Sequence, residues 1–403
     1  MTGALEGLKV LDMTWVVVGP TAVRVLSDHG ATVVKVETGT RVDTARTAGP
    51  FWQGTPGPEN SACFNNGNAG KLGLMLNLAV HESREVLTRL IRWADVMVEN
   101  FTPHVMRRWG LDYASVSAIN PAIVYLSASM TGQEGPYANL AAIGNVGAAV
   151  AGFTNVVGWP DRPPAGPGGA YTDYVAAKYI TIALLAALEF RDSTGKGQHI
   201  DLAQSETAVH FLAPAFLDYQ LSGRLHGGVG NRSSEYAPHG VFACHGYEQW
   251  LALAVRDERE WLALAAIIDR PDLATDLELR DAPGRLRRVD ELEAAVETWT
   301  LTQQVSEAEQ QLIAAGIPAH AAVDSPMAVA DPQLNHRRHF VHVPHESLGE
   351  IVLEDARFRL SRTPSELRTG GPTFGQHNGQ VLLDFLGFTE EQVGELAVLG
   401  AFD

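Results

Sequence analysis

Only two cysteines, Cys63 and Cys244, occur in the 403 residues. So few build no disulfide framework, which excludes a small secreted scaffold held together by staples. Long uncharged apolar runs are also missing, and none reaches the ~20 residues that a membrane-spanning helix requires. Positive charge is scarce: 30 Lys and Arg stand against 47 Asp and Glu, for a formal net charge of −17. A field of that sign repels nucleic acid and anionic membranes, so neither is an expected partner. Any phosphate-bearing ligand must therefore meet a local basic patch. The opening "MTGALEGLKV" has no basic segment followed by an apolar one. No signal peptide is expected from it, and the expected location is the cytoplasm. With 45% hydrophobic residues the chain has ample material for a large core, and its length suggests two or three domains.

What is present is an alternation of β-branched runs and amphipathic segments. "LKVLDM" reads as a strand, "TAVRVLSDHG" as a helix and "ATVVKVE" as a second strand ending at Glu37. Strand, helix, strand at this spacing is a βαβ unit and implies a parallel sheet. The theme returns with "EVLTRLIRWA" as a helix, then "DVMVENF" and "AIVYLSAS" as strands. Residues 40–70 are rich in Gly, Pro, Thr and Asn and read as a long loop of the kind that covers a ligand. Glycine-rich "GRLHGGVGNRSSEYAP" marks a domain boundary near residue 225. Beyond it, "GVFACHGYEQWLALAV" reads as a hairpin turning at "HGYE", and residues 257–318 as amphipathic helix. The tail adds strands and a last helix, "GQVLLDFLGF".

Four motifs lead nowhere. "TWVVVGPTAV" stands where a dinucleotide fold carries Gly-x-Gly-x-x-Gly, but only Gly19 is present and valines occupy the close-approach positions. "STGKGQ" follows a helix and precedes a strand, the reverse of a phosphate-binding loop, and Lys196 is followed by Gly197. His336, His339, His342 and His345 recur every three residues, but a strand sends such side chains to opposite faces, so no metal is expected. Cys244 and His245 are adjacent in a strand and point apart, so they form no nucleophile and base pair.

Asp173 heads the apolar run "YVAAKYITIALLAALEF", which reads as a largely buried helix. Two readings stand there. An acid at a helix start caps backbone N–H groups or complements the dipole. Alternatively it is a carboxylate nucleophile, kept ionised by the helix N-terminus and kept dry by the helix behind it.

Five stretches together resemble the family III CoA-transferases, relatives of formyl-CoA transferase, carnitine CoA-transferase and α-methylacyl-CoA racemase. They are "LKVLDMTWVVVGP…LSDHGATVVKVE", "ADVMVENFTPHVMRRWGLDY", "AALEFRDSTGKGQHIDLA", "GNRSSEYAPHGVF" and "AAGIPAHAAVDSPMAVADPQL". The resemblance runs from about residue 5 to residue 399 and implies an acyl-CoA:carboxylate CoA-transferase. In it Asp173 attacks a thioester, giving a mixed anhydride and then an aspartyl-CoA thioester. The cofactor expectation is none bound permanently, with the coenzyme A thioester as substrate. The partners are an acyl-CoA donor and a free carboxylic acid.

The resemblance further implies that Trp15, Val16, Val18, Lys71, Asn100, Phe101 and Arg108 contact CoA, with Arg108 as a phosphate partner. Ile143, Gly144, Tyr171 and Gly246 are placed against the substrate. Ile143 and Gly144 occupy the slots where racemases carry His and an acid. A two-base proton exchange therefore lacks its second base, which demotes the alternative of a 2-methylacyl-CoA racemase-type isomerase. A further alternative is a non-catalytic partner subunit. Trp15 and the valines after it, with a single Gly246 in the second-domain loop, imply an acyl group bulkier and more apolar than oxalate. The implied fold is α/β: a large doubly wound (Rossmann-like) domain over 1–205, a linker over 206–225, a small α+β domain over 226–325 and a C-terminal return over 326–403. An interlocked homodimer is implied, with a second related subunit as an option.

Overall fold

The computed structural model describes residues 3–403, which divide into two compact units. One contains the chain up to Thr154, Gly166–Leu225 and Pro332–Asp403, and the other contains Asn155–Ala165 and His226–Asp331.

Six strands organise the first unit: β1 (Lys9–Asp12), β2 (Thr32–Glu37), β3 (Leu72–Met75), β4 (Val96–Glu99), β5 (Val124–Ser129) and β6 (Gln198–Ala203). All pair in parallel, in the order β3-β2-β1-β4-β5-β6. The continuous β-branched runs exist because both faces are covered. Leu11, Val34, Leu74 and Met97 point into one core with Val86, Leu87 and Leu90 of the helix Ser83–Trp93. Val10, Val33, Val96 and Val124 point into the other, against the helices Val18–Asp28 and Tyr171–Thr194. Strand β3 was not read from sequence. "LGLM" has little β-branched character, and it is the pairing of Leu72 through Met75 with Val34 through Glu37 that makes it a strand.

The helix Tyr171–Thr194 has 24 residues, about 36 Å at 1.5 Å per residue. It ends where Gly195 takes φ +72°, a conformation glycine adopts without steric cost. Ala176, Ala177, Ile180, Leu184 and Leu188 are buried, as the sequence suggests, yet Ile182, Leu185 and Phe190 on the opposite side are exposed. The expectation of a largely buried helix therefore holds for one face only.

Residues 206–225 are not an extended linker. Most of them form the helices Gln204–His210 and Ala213–Ser222 of the first unit, and the glycines from Gly223 onward mark the irregular stretch. The supposed loop at 40–70 includes a 3₁₀ turn at Thr44–Thr47 and a helix at Ala62–Gly67. Near the C-terminus, β10 (Phe340–His345) and β11 (Gly349–Glu354) form a hairpin. "GQVLLDFLGF" makes only a π-helical turn at Gln380–Phe385, and the last helix is Glu390–Val398, begun by a Thr389–Gln392 capping box. Arg46 draws this segment in. It donates to Glu37 at 2.7 and 2.9 Å, to Glu59 at 2.7 Å and to the Pro372 carbonyl at 2.8 Å.

The second unit carries the antiparallel strands β7 (His239–Ala243), β8 (Trp250–Ala254) and β9 (Ala319–Ala321) in the order β7-β8-β9. Leu251 and Leu253 pack there with Trp261, Leu264, Leu292 and Val296 of its helices. Its hairpin turns at the expected "HGYE", and Cys244 is buried. No described helix is long and apolar enough to cross a membrane. Among the described residues no group of three His, Cys, Asp or Glu is arranged to hold a metal. His342 pairs instead with Glu350 at 2.9 Å.

Candidate active site

Asp173 is the third residue of its helix, and Ala170 precedes that helix without any side-chain cap. The carboxylate turns away from its own helix start. It accepts the N–H of Gly144, the first residue of the helix Gly144–Val150. Thr172 Oγ1 donates to the Gly144 carbonyl at 2.8 Å, so Gly144 is held through both its N–H and its C=O. A Cβ at position 144 would lie 2.8 Å from both Asp173 Oδ2 and Ala170 Cβ. Glycine is required there by contact, not by φ.

With 6% of its surface exposed, Asp173 has left bulk solvent. Burial pushes its pKa up to about 6, against the opposing pull of the Gly144 N–H. The sequence expectation is a carboxylate kept ionised by the helix N-terminus; here burial sets its acidity, opposed by the Gly144 N–H. At neutral pH it is still mainly ionised, and it is more basic than a surface carboxylate.

Asp173 lines a cavity of about 900 Å³ at the carboxyl ends of the strands. Residues from the end of β2, from the turns after β1, β3 and β4, and from the end of β5 and the start of the segment after β6 all reach it. In a doubly wound sheet the strand order reverses between β1 and β4, and the crevice that opens there is where ligands bind. The turns after these two strands are bonded to one another: Asn100 Oδ1 accepts the Trp15 N–H and Asn100 Nδ2 donates to the Trp15 carbonyl, both at 2.8 Å. Glu99, buried and raised to about 7 by that burial, accepts the Phe101 N–H at 2.8 Å and shapes the same turn. An aromatic series follows, with Trp15 against Phe101 and Phe101 against Trp109, each at 5.4 Å. Arg41 lies 5.7 Å from the Trp15 ring centre.

Of the residues expected from sequence, Trp15, Val16, Val18, Asn100, Phe101, Arg108, Ile143 and Asp173 line this one cavity. Gly144 adjoins it through its bond to Asp173. Tyr171 packs edge-on against Phe153 at 5.1 Å. Gly246 lies in the second unit, with φ +114° in the β7–β8 turn. Lys71 requires a correction. It is fully buried under the loop, where its ammonium donates to Asp12 at 2.8 Å, Asn68 at 2.9 Å and the Pro20 carbonyl at 3.0 Å. With those bonds made, it has no free donor to offer CoA. Burial lowers its pKa to about 8.

Among the lining residues that the sequence does not single out are Arg41, Ser129 and Gln204. Arg41 is a cation in the loop after β2, whose signal was simply a basic residue beside a strand end in an acidic chain. Ser129 and Gln204 are buried and line the cavity, and neither Ser129 Oγ nor Gln204 Oε1 has a protein partner. Nothing in the sequence distinguishes those two. A smaller cavity of about 400 Å³ shares Val16 and Val17 with the first and is lined by Tyr174, Cys63, Phe340, Leu353 and Arg357. Burial pushes the Cys63 thiol up, so it is no thiolate nucleophile.

Comparison with known proteins adds an independent line. The sequence profile described as CoA-transferase family III matches residues 5–378. The succinyl-CoA–D-citramalate CoA-transferase of Chloroflexus aurantiacus is 29% identical over 97% of this chain and 96% of its own. The β subunit of a succinyl-CoA–L-malate CoA-transferase from the same organism is 31% identical, again over 97% and 96%. Among solved structures, a CAIB/BAIF family protein from Brucella suis superposes with a TM-score of 0.87 at 29% identity, covering 96% of this chain and all of that one.

Proposed function

Since this chain belongs to CoA-transferase family III and is a CoA-transferase enzyme, we propose that it moves CoA between carboxylic acids through covalent intermediates on Asp173. The carboxylate attacks the thioester carbonyl of an acyl-CoA. The C–S bond breaks, CoA departs as thiolate and a mixed anhydride remains. The thiolate then attacks the aspartyl carbon and expels the donor acid as its carboxylate, leaving aspartyl-CoA thioester. An acceptor carboxylate reverses both steps and departs as acyl-CoA. One activated carboxyl is exchanged for another of similar energy, so the balance requires no co-reactant.

The observation that carries this reading is that Asp173 leaves its own helix uncapped, is buried, and lines the cavity at the sheet's switch point. A raised pKa makes the ionised carboxylate a better nucleophile, and burial protects an anhydride from hydrolysis. Arg41 and Arg108 supply the local positive charge that CoA phosphates need on a chain of net charge −17. Ser129 and Gln204 offer hydrogen bonds to the thioester or the pantetheine amides. The smaller cavity, walled by Val17, Phe340 and Leu353 and edged by Arg357, receives the acid. Its walls favour an acid with an apolar body. Ile143 and Gly144 provide no second base, which supports transfer over isomerisation. The exposed apolar side chains Ile182, Leu185 and Phe190, with Phe211 and with Phe216, Leu217 and Leu221 of the helix Ala213–Ser222, support a homodimer.

A panel of acyl-CoA donors against free acids, read by mass spectrometry, tests the reaction. Acyl-CoA followed by hydroxylamine should modify Asp173; an active enzyme left unmodified there rejects the mechanism. Likeness to a β subunit favours one second reading, in which the chain works beside a related subunit. That reading predicts that Asp173→Asn leaves the assembled complex fully active.

A further inference from the structure

Beneath the loop after β1 lies a cluster of four fully buried charges. Asp12 and Lys71 pair at 2.8 Å, and Lys35 and Asp43 at 3.5 Å. Burying four charges is costly unless each is paired and hydrogen-bonded, and here most of the remaining bonds go to main chain. Asp12 Oδ1 accepts the Thr14 N–H at 2.8 Å, and the Lys35 ammonium donates to the Thr14 carbonyl at 2.7 Å. Asp43 Oδ1 accepts the Val16 N–H at 3.0 Å. With Asn100 holding both polar atoms of Trp15, the main chain from Thr14 to Val16 is gripped residue by residue.

Val16 is the reason such a grip matters. Its φ is +68°, in the left-handed region that a β-branched residue occupies only under constraint. Strain of this kind persists where the surroundings over-determine it, and it gathers at functional sites. Val16 lines both cavities. Asp173 lines the larger and its neighbour Tyr174 the smaller, so Val16 and the head of the long helix together bound the passage between thioester and acid.

We propose that Asp43 is a positioning residue of the transfer reaction: its carboxylate holds Val16 left-handed, and Val16 so held forms the partition between the two cavities. The inference rests on assigning those cavities to thioester and acid. Asp43 also accepts the Ala45 N–H at 2.9 Å, capping the 3₁₀ turn Thr44–Thr47, so its test must separate that structural duty from the grip on Val16.

A double-mutant cycle in the full chain does so, with Asp43→Ala, Val16→Gly, their combination and Asp43→Asn. Transfer is measured with succinyl-CoA and whichever acid gives the highest wild-type rate. Glycine takes positive φ freely, and asparagine keeps an oxygen for the Val16 N–H. Asp43→Ala should lower kcat at least tenfold while the KM for succinyl-CoA moves less than threefold. In the Val16→Gly background the same change should cost less than threefold, and Asp43→Asn should stay within threefold of wild type. Equal losses in both backgrounds overturn the proposal, as does a lowered Tm with unchanged kcat per folded chain. A crystal structure of Asp43→Ala gives a readout independent of turnover: φ of Val16 should become negative, and retention near its present value refutes the grip. If the wild type transfers CoA to no acid, the transferase assignment fails and the crystal structure alone decides the role of Asp43. Should Asp43→Ala not fold, Asp43→Ser, whose hydroxyl stops one bond short of Val16, replaces it throughout.

Discussion

In the proposed mechanism the smallest working unit is Asp173 with Gly144, a carboxylate and the glycine that orients it. Because the pKa of Asp173 rises from 3.8 to about 6 on folding, the folded chain holds a proton there that the unfolded chain has released between those values. Folding stability therefore falls as pH rises through that window. At about 1.4 kcal/mol per tenfold change in acidity, the cost at neutral pH is on the order of 2–3 kcal/mol. Asp173→Asn keeps an acceptor for the Gly144 N–H and removes the charge. It should abolish transfer and raise the Tm by a few degrees at pH 7, with the Tm advantage vanishing near pH 4. Thermal scans across pH alongside turnover measure both. In the wild type, kcat/KM should fall on acidification with a midpoint near 6. Gly144→Ala brings a methyl to 2.8 Å from Asp173 Oδ2 and displaces the proposed nucleophile. We expect at least a tenfold loss of kcat, with KM for the thioester changed far less.

At the scale of elements, the site belongs to the carboxyl ends of the strands, and the turns after β1 and β4 are its frame. Asn100 joins them through both polar atoms of Trp15. Asn100→Ala leaves those atoms unpaired and frees the aromatic wall of Trp15 and Phe101. Removing partners from groups of this kind costs roughly 1–3 kcal/mol, so the KM for acyl-CoA should rise about tenfold or more in steady-state assays. Arg41→Ala and Arg108→Ala should each raise that KM as well, and the effect should shrink with added salt because exposed guanidinium–phosphate contacts are screened.

Across the whole molecule, Arg46 ties distant parts of the first unit together. Its guanidinium meets Glu37 and Glu59, reaches the Pro372 carbonyl, and lies 3.5 Å from the Phe64 ring centre and 4.1 Å from that of Phe374. Replacing it with Met strands the buried Glu37 carboxylate, and breaking a buried pair from one side costs about 3–5 kcal/mol. Urea unfolding of Arg46→Met should reveal a loss of that size. The exposed apolar faces predict a dimer, so light scattering should return twice the 43.4 kDa of one chain. Leu221→Glu combined with Ile182→Glu should lower that mass towards one chain.

Sequence alone determined the parallel α/β class, because β-branched runs alternating with amphipathic ones admit few other arrangements, and it singled out Asp173 by the contrast between an acid and the apolar run behind it. The family resemblance, not spacing or composition, supplied the part of the cavity wall that the sequence named, among it Trp15, Asn100 and Arg108. Tertiary structure alone decided the rest. Whether Asp173 caps its helix or faces a cleft depends on Gly144, 29 residues earlier, and no local pattern encodes that contact. Lys71 looks like any loop lysine until Asp12 is found beside it in the interior. Val16 sits among valines that read as a plain apolar stretch, and its left-handed φ is found where Asp43 reaches its N–H from another loop. Local propensity fixes periodicity over a few residues, whereas the pKa of a buried carboxylate, the partner of a buried ammonium and a strained φ are set by groups far away along the chain.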